Sequence, residues 1–162
     1  HCAPDPDQGA GRIIGEGCHF VDFLAFLAGA APVSVNAHSL PDDGKYRQDN
    51  VSMTFTFPDG SIGVVDYLAN GDKSFPKERL EMFCAGHVAV LDDFRTLELA
   101  HDGRRSVTRK AQDKGWHHEW LAFMHCIAEG LQPPIPYEQL IGVTKATFAA
   151  VESLRAGKEI RV

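Results

Sequence analysis

Val51-Ser52-Met53-Thr54-Phe55-Thr56-Phe57 alternates apolar and polar side chains over seven residues, and Pro58-Asp59-Gly60 follows directly. A period of two, built from β-branched and aromatic residues, predicts a strand with one buried face. Pro-Asp-Gly is turn chemistry, so residues 61–69 are expected to return as an antiparallel partner. The apolar face of the first strand carries Val51, Met53, Phe55 and Phe57. Its polar face carries Ser52, Thr54 and Thr56.

Working outward, more short strands are expected on both sides. Residues 33–37 precede the pair, separated from it by a polar loop at 41–48. Residues 79–84, 87–92, 95–100 and 106–109 follow, punctuated by Gly86 and Gly103. The flanks change period. Ile14, Cys18, Val21, Leu24 and Ala28 recur at three- and four-residue steps, which predicts a helix over 13–28. Gly29 then sits where a left-handed cap is expected, and Pro32 lies just beyond. Trp116, Trp120, Phe123 and Ile127 predict a second helix up to Gly130, which Pro133, Pro134 and Pro136 end. Leu140, Val143, Thr147, Val151 and Leu154 form the stripe of a third helix over 137–156, with Gly157 as its stop. Ile160 and Val162 suit a short terminal strand. Helix, several strands, two helices: this order predicts an α+β class, one large open and mainly antiparallel sheet with helices gathered on one face. An open sheet face of this kind often packs on a second copy.

The 162 residues suit one domain, with residues 1–11 linker-like in composition. Apolar residues at 44% and charged residues at 23% are the usual globular balance. A net charge of -6 argues against nucleic acid as the main partner. No apolar run approaches the ~18 residues a spanning helix needs, so no membrane partner is expected. The first residue is His1 and no leader pattern follows it, so the chain reads as a piece of something longer. Cys2, Cys18, Cys84 and Cys126 are scattered and read as reduced thiols of a cytoplasmic protein. The sequon Asn50-Val51-Ser52 has no role in that setting.

Residue types that carry chemistry gather near the first helix. Glu16, His19 and Asp22 follow at three-residue steps and share one broad face. That face is either a solvated helix surface with a local ion pair or a general acid–base group near neutral pH. Glycines at 11, 15 and 17 each weaken a helix start by up to ~1 kcal/mol, which favours close approach of a ligand to the backbone. The segment 70–79 is too long and charged for a tight turn. Its Asn70, Lys73, Lys77 and Arg79 could grip an anionic or polyhydroxyl ligand, or simply be solvated. Gly9 to Gly15 is glycine-rich, but no buried strand precedes it, so no cofactor-binding residue is expected here. His117, His118, His125 and Glu129 lack a favourable pair spacing for zinc, so no metal site is expected. Trp116 and Trp120 are expected as core or interface anchors.

Several stretches together resemble the C-terminal domain of the Gfo/Idh/MocA oxidoreductases, the family of glucose–fructose oxidoreductase and inositol dehydrogenase. They are Gly11-Arg12-Ile13-Ile14-Gly15-Glu16-Gly17-Cys18-His19-Phe20-Val21-Asp22, Asp49-Asn50-Val51-Ser52, Phe57 to Gly63, Ser74 to Glu81, and Pro134 to Lys158. The resemblance covers nearly the whole chain and implies one domain over 1–162 that binds substrate and oligomerises. It implies a bacterial sugar or polyol dehydrogenase, nucleotide sugars included. NAD or NADP would be bound mainly by an N-terminal nucleotide-binding domain, with none expected on this fragment, which alone would be inactive. It also implies a homodimer or tetramer through the sheet.

In the family the first helix usually carries Asp, three residues, then His. His19 matches the His, which implies that it exchanges the substrate's hydroxyl proton while hydride passes to or from nicotinamide. Gly15 stands at the Asp position, and Glu16 is the nearest acid. One residue of offset turns a helical side chain by about 100°. Glu16 is thus the second catalytic candidate, and Arg12, Asp22, Asn70, Lys73 and Lys77 are the substrate-binding candidates. Gly15 also motivates the alternative, a non-catalytic dimerisation or ligand-sensing module on the same fold.

Overall fold

The computed structural model describes residues 11–41 and 49–162. The linker over 1–11 and the polar loop over 41–48 therefore lie almost wholly outside the described residues. The contacts divide the chain into two compact units, one ending at Asn70 and resuming at Ile135–Val162, the other Gly71–Pro134. The class is α+β. Among the described residues the strands form two four-stranded antiparallel sheets.

The first unit holds β1 (Ser34–Ser39), β2 (Asn50–Thr56), β3 (Ile62–Leu68) and the two-residue β8 (Ile160–Arg161), in the order β3-β2-β1-β8. The alternation of 51–57 behaves as its period requires. Val51, Met53 and Phe55 are fully buried and Phe57 nearly so, while Ser52 and Thr54 face out. The register places Met53 opposite both Ala37 and Val65, so the three strands share one apolar face. The Pro58-Asp59-Gly60 turn is closed by Asp59, whose carboxylate accepts the Ser61 backbone N–H at 2.9 Å and the Ser61 hydroxyl at 2.8 Å.

Two helices cover that face: α1 (Cys18–Ala28), entered through a π-helical turn at Ile13–Gly17, and α3 (Tyr137–Ala156). Gly29 ends α1 in the left-handed region, with φ of 70°. The apolar stripe departs from expectation at its start, where Ile13 is buried in place of Ile14. A π-turn holds one more residue than an α-turn, so the core-facing position ahead of it moves back by one.

The stripe expected for α3 is corrected at Leu140, while Val151 and Leu154 pack against the core. Val143 and Thr147 are buried, but Leu140 is 43% exposed, and the face that packs is built from Ala146, Ala149, Ala150 and Ser153. This helix packs on β1 and α1 together, and small side chains allow that approach. A β-carbon at Gly142 would stand 2.5 Å from the Ala31 β-carbon. Ser153 Oγ accepts the Ala37 backbone N–H at 2.9 Å and donates to the Lys158 carbonyl at 2.6 Å.

The second unit is a meander, β4 (Arg79–Cys84), β5 (His87–Asp92), β6 (Thr96–His101) and β7 (Arg104–Arg109), followed by α2 (Trp116–Glu129). Two of its hairpins have two-residue loops, Ala85-Gly86 and Asp102-Gly103, with all four residues at positive φ. That is the geometry whose twist matches the flanking strands, and glycine supplies its second position without strain. No residue of these four strands or of α2 is buried. Trp116 and Trp120, at 75% and 60% exposed, are not core residues of the described chain. No described helix is long and apolar enough to cross a membrane.

Candidate functional site

The π-turn and the end of β3 bring four polar side chains of the first unit together. Glu16 stands in the π-turn between Gly15 and Gly17. Tyr67 stands on β3, in the row of Gly63 and Val65 that faces the core, at the sheet's end. The Tyr67 hydroxyl donates to Glu16 Oε2 at 2.5 Å. Phe20, four residues beyond Glu16, meets the Tyr67 ring edge-on, with centroids 6.2 Å apart. Arg12, at the head of the π-turn, pairs through Nε with Asp49 Oδ2 at 3.1 Å.

The electrostatics follow from this arrangement. Burial, then the Glu16 acceptor, push the Tyr67 phenol above the usual tyrosine range, against the pull of Arg12. The Arg12 guanidinium is held above its ordinary value by its hydrogen bond to Tyr67 and by the charge of Asp49, against the cost of desolvation. An ionised carboxylate can only accept, so the phenol hydrogen lies between the Tyr67 and Glu16 oxygens. An Asp49–Arg12 ion pair and a Tyr67–Glu16 hydrogen bond thus flank the π-turn.

His19 lies on the first turn of α1 and is exposed. A turn closed by i→i+5 bonds rotates less per residue than an α-turn. Three steps from Glu16 to His19 therefore fall further short of a full circle, and Glu16 is carried toward β3. Asp22, one turn beyond His19, accepts from Gln139 Nε2 of α3 at 3.0 Å. Asn70 is anchored by its backbone, whose N–H donates to the Oδ1 of buried Asn50 at 2.9 Å. Burial pushes the Cys18 thiol up.

The structure thus brings Arg12 and Glu16 together and places His19 and Asp22 along the same helix. Lys73 and Lys77 belong to the second unit, exposed in the segment before β4. There Asp72 organises a turn by accepting from the Ser74 backbone and hydroxyl, at 2.8 and 2.7 Å. The sequence reading missed Tyr67, Asp49 and Gln139. Tyr67 had one signal, an aromatic residue with a polar tip at the end of a core-facing row. Among the described residues no three or more His, Cys, Asp or Glu side chains are arranged to hold a metal. Of the glycine-rich stretch from Gly9, the residues before Gly11 lie outside the described residues, and Gly15 sits in the π-turn leading into α1.

Comparison with known proteins adds the family. No curated protein matches the sequence significantly. Solved structures share the fold at low identity. An oxidoreductase from Agrobacterium radiobacter, in complex with NAD+, L-tartaric acid and magnesium, is 15% identical, with a TM-score of 0.74 over 90% of this chain and 47% of its own. The aldose-aldose oxidoreductase of Caulobacter crescentus, complexed with glycerol, is 19% identical, with a TM-score of 0.71 over 90% and 46%. The UDP-N-acetylglucosamine 3-dehydrogenase of Acidithiobacillus ferrooxidans is 20% identical, with a TM-score of 0.69 over 86% and 45%. This chain spans about half the length of each. The family model of the GFO/IDH/MocA C-terminal domain matches residues 3–86, just over half of the 162 residues, and the chain belongs to that family.

Proposed function

We propose that this chain is the substrate-binding and self-associating part of an NAD(P)-dependent sugar or polyol dehydrogenase, nucleotide sugars included. In this reading the intact enzyme is a cytoplasmic bacterial dimer or tetramer associating through a sheet face. The observation that carries the reading is exposed His19, one helical turn beyond the Arg12–Glu16–Tyr67 cluster, in a chain of this family. His19 exchanges the proton of the substrate hydroxyl. Arg12, Glu16, Asp22 and Asn70 bind the remaining hydroxyls or a charged group, while Lys73 and Lys77 of the second unit are separate candidates for an anionic ligand. Hydride chemistry belongs to the nicotinamide, which is held mainly by another domain, and no residue here is assigned to it. The isolated chain binds no nicotinamide and is inactive.

In the complete enzyme, His19→Ala lowers turnover by about 10²–10⁴, the usual size of a general acid–base contribution. Unchanged turnover removes His19 from the chemistry.

One observation favours a second reading, a dimerisation or ligand-sensing module without redox chemistry. Gly15 replaces the family's acid, while Glu16 and Asp22 are engaged by Tyr67 and Gln139. That module binds sugars yet shows no nicotinamide-linked turnover in the complete gene product, which steady-state assays with sugars, inositols and sugar nucleotides decide.

A further inference from the structure

We propose that Tyr67 is a positioning residue for Glu16, fixing that carboxylate as an acceptor for a ligand hydroxyl instead of the acid partner of His19. The proposal deepens the sugar- or polyol-binding reading above and rests on it.

Three features support it. First, the π-turn with a glycine on each side of Glu16 turns this position toward β3, leaving its final direction to whatever it meets there. What it meets is fixed: Tyr67 is carried by a strand paired along its length with β2, and its ring rests edge-on against Phe20. Second, the Arg12 cation, paired with Asp49 at 3.1 Å, stands at the head of the same π-turn that carries Glu16. Third, among the described residues Tyr67 bonds to Oε2 of Glu16, and Glu16 is exposed. Its second oxygen can accept from a hydroxyl group arriving from solvent. A carboxylate held this way suits a polyhydroxyl ligand, one of whose hydroxyls meets Glu16.

The test is binding of glucose, myo-inositol and UDP-N-acetylglucosamine to the protein, followed by calorimetry and by shifts in the NMR resonances of Tyr67 and His19. The unmodified protein binds at least one probe. Tyr67→Phe weakens that binding about five- to tenfold, the scale of one hydrogen bond. Glu16→Ala weakens it by a similar factor, and the double variant is no weaker than the worse single variant, because the two residues act as one unit. A merely structural Tyr67 would give losses that multiply, and that result, or unchanged binding in Tyr67→Phe, overturns the proposal. If Tyr67→Phe does not fold by circular dichroism, Glu16→Ala decides alone, and unchanged binding overturns it. Failure of the unmodified protein to bind any probe overturns the sugar-binding reading itself, and the Tyr67 proposal with it.

Discussion

Ser153 of α3 and Ala37 of β1 are joined by a buried hydrogen bond in which the serine hydroxyl oxygen accepts the strand's backbone N–H at 2.9 Å. β8 pairs with only Ser34 and Val35 of β1, so beyond Val35 this side of the strand has no partner from β8. Ser153 supplies the acceptor there and passes its own hydrogen to the Lys158 carbonyl. Ser153→Ala leaves a buried N–H and a carbonyl without these partners, at a cost of about 1–3 kcal/mol. Urea unfolding checks this, and an unchanged midpoint would show that water replaces the hydroxyl.

Gly142→Ala sets two effects against each other. Alanine in a helix interior gains up to about 1 kcal/mol over glycine. The new β-carbon, however, meets the Ala31 β-carbon at 2.5 Å, with no flexible side chain to yield. Overpacking of this kind costs about 1–3 kcal/mol, so the net change is destabilising. Thermal unfolding should show a lower midpoint, and adding Ala31→Gly should recover much of it.

Tyr67 should ionise above the ordinary tyrosine value of about 10, by ultraviolet or NMR titration, and Glu16→Ala should bring it down. The sign for stability follows. The folded state holds this proton more tightly than the unfolded state, so the contribution is complete below the unfolded value and is lost as pH rises through the folded one. Tyr67→Phe removes that alkaline dependence.

Asn50→Ala leaves the Asn70 backbone N–H without its acceptor at the end of β3. The expected cost is about 0.5–1.5 kcal/mol, because Asn70 is exposed and water can reach its N–H. Hydrogen exchange at Asn70 should accelerate more than at Val65, in the middle of the strand.

The periodic parts of this molecule are legible in its sequence. The alternation at 51–57, the Pro-Asp-Gly turn and the glycine-flanked hairpins place every strand within a few residues, because each rests on a local rule. The stripe of α3 departs from expectation at Leu140, because size decides that position. Ala146, Ala149 and Ala150 pack where two neighbours crowd the helix, while the larger Leu140 stays outside. The site is legible only in part for the same kind of reason. Glu16 could be found by its place beside the family's acid position. That it meets Tyr67, 51 residues away, depends on a π-turn that propensities do not announce.

The placement of β8 also orders events during synthesis. β2 and β3 follow β1 closely, but residues 160–161, which close its other side, are made more than a hundred residues later. At ~5–20 residues per second, that flank of β1 waits roughly 6–25 seconds on the ribosome. Through that interval it is an open strand edge, the kind of surface on which nascent chains pair wrongly with one another.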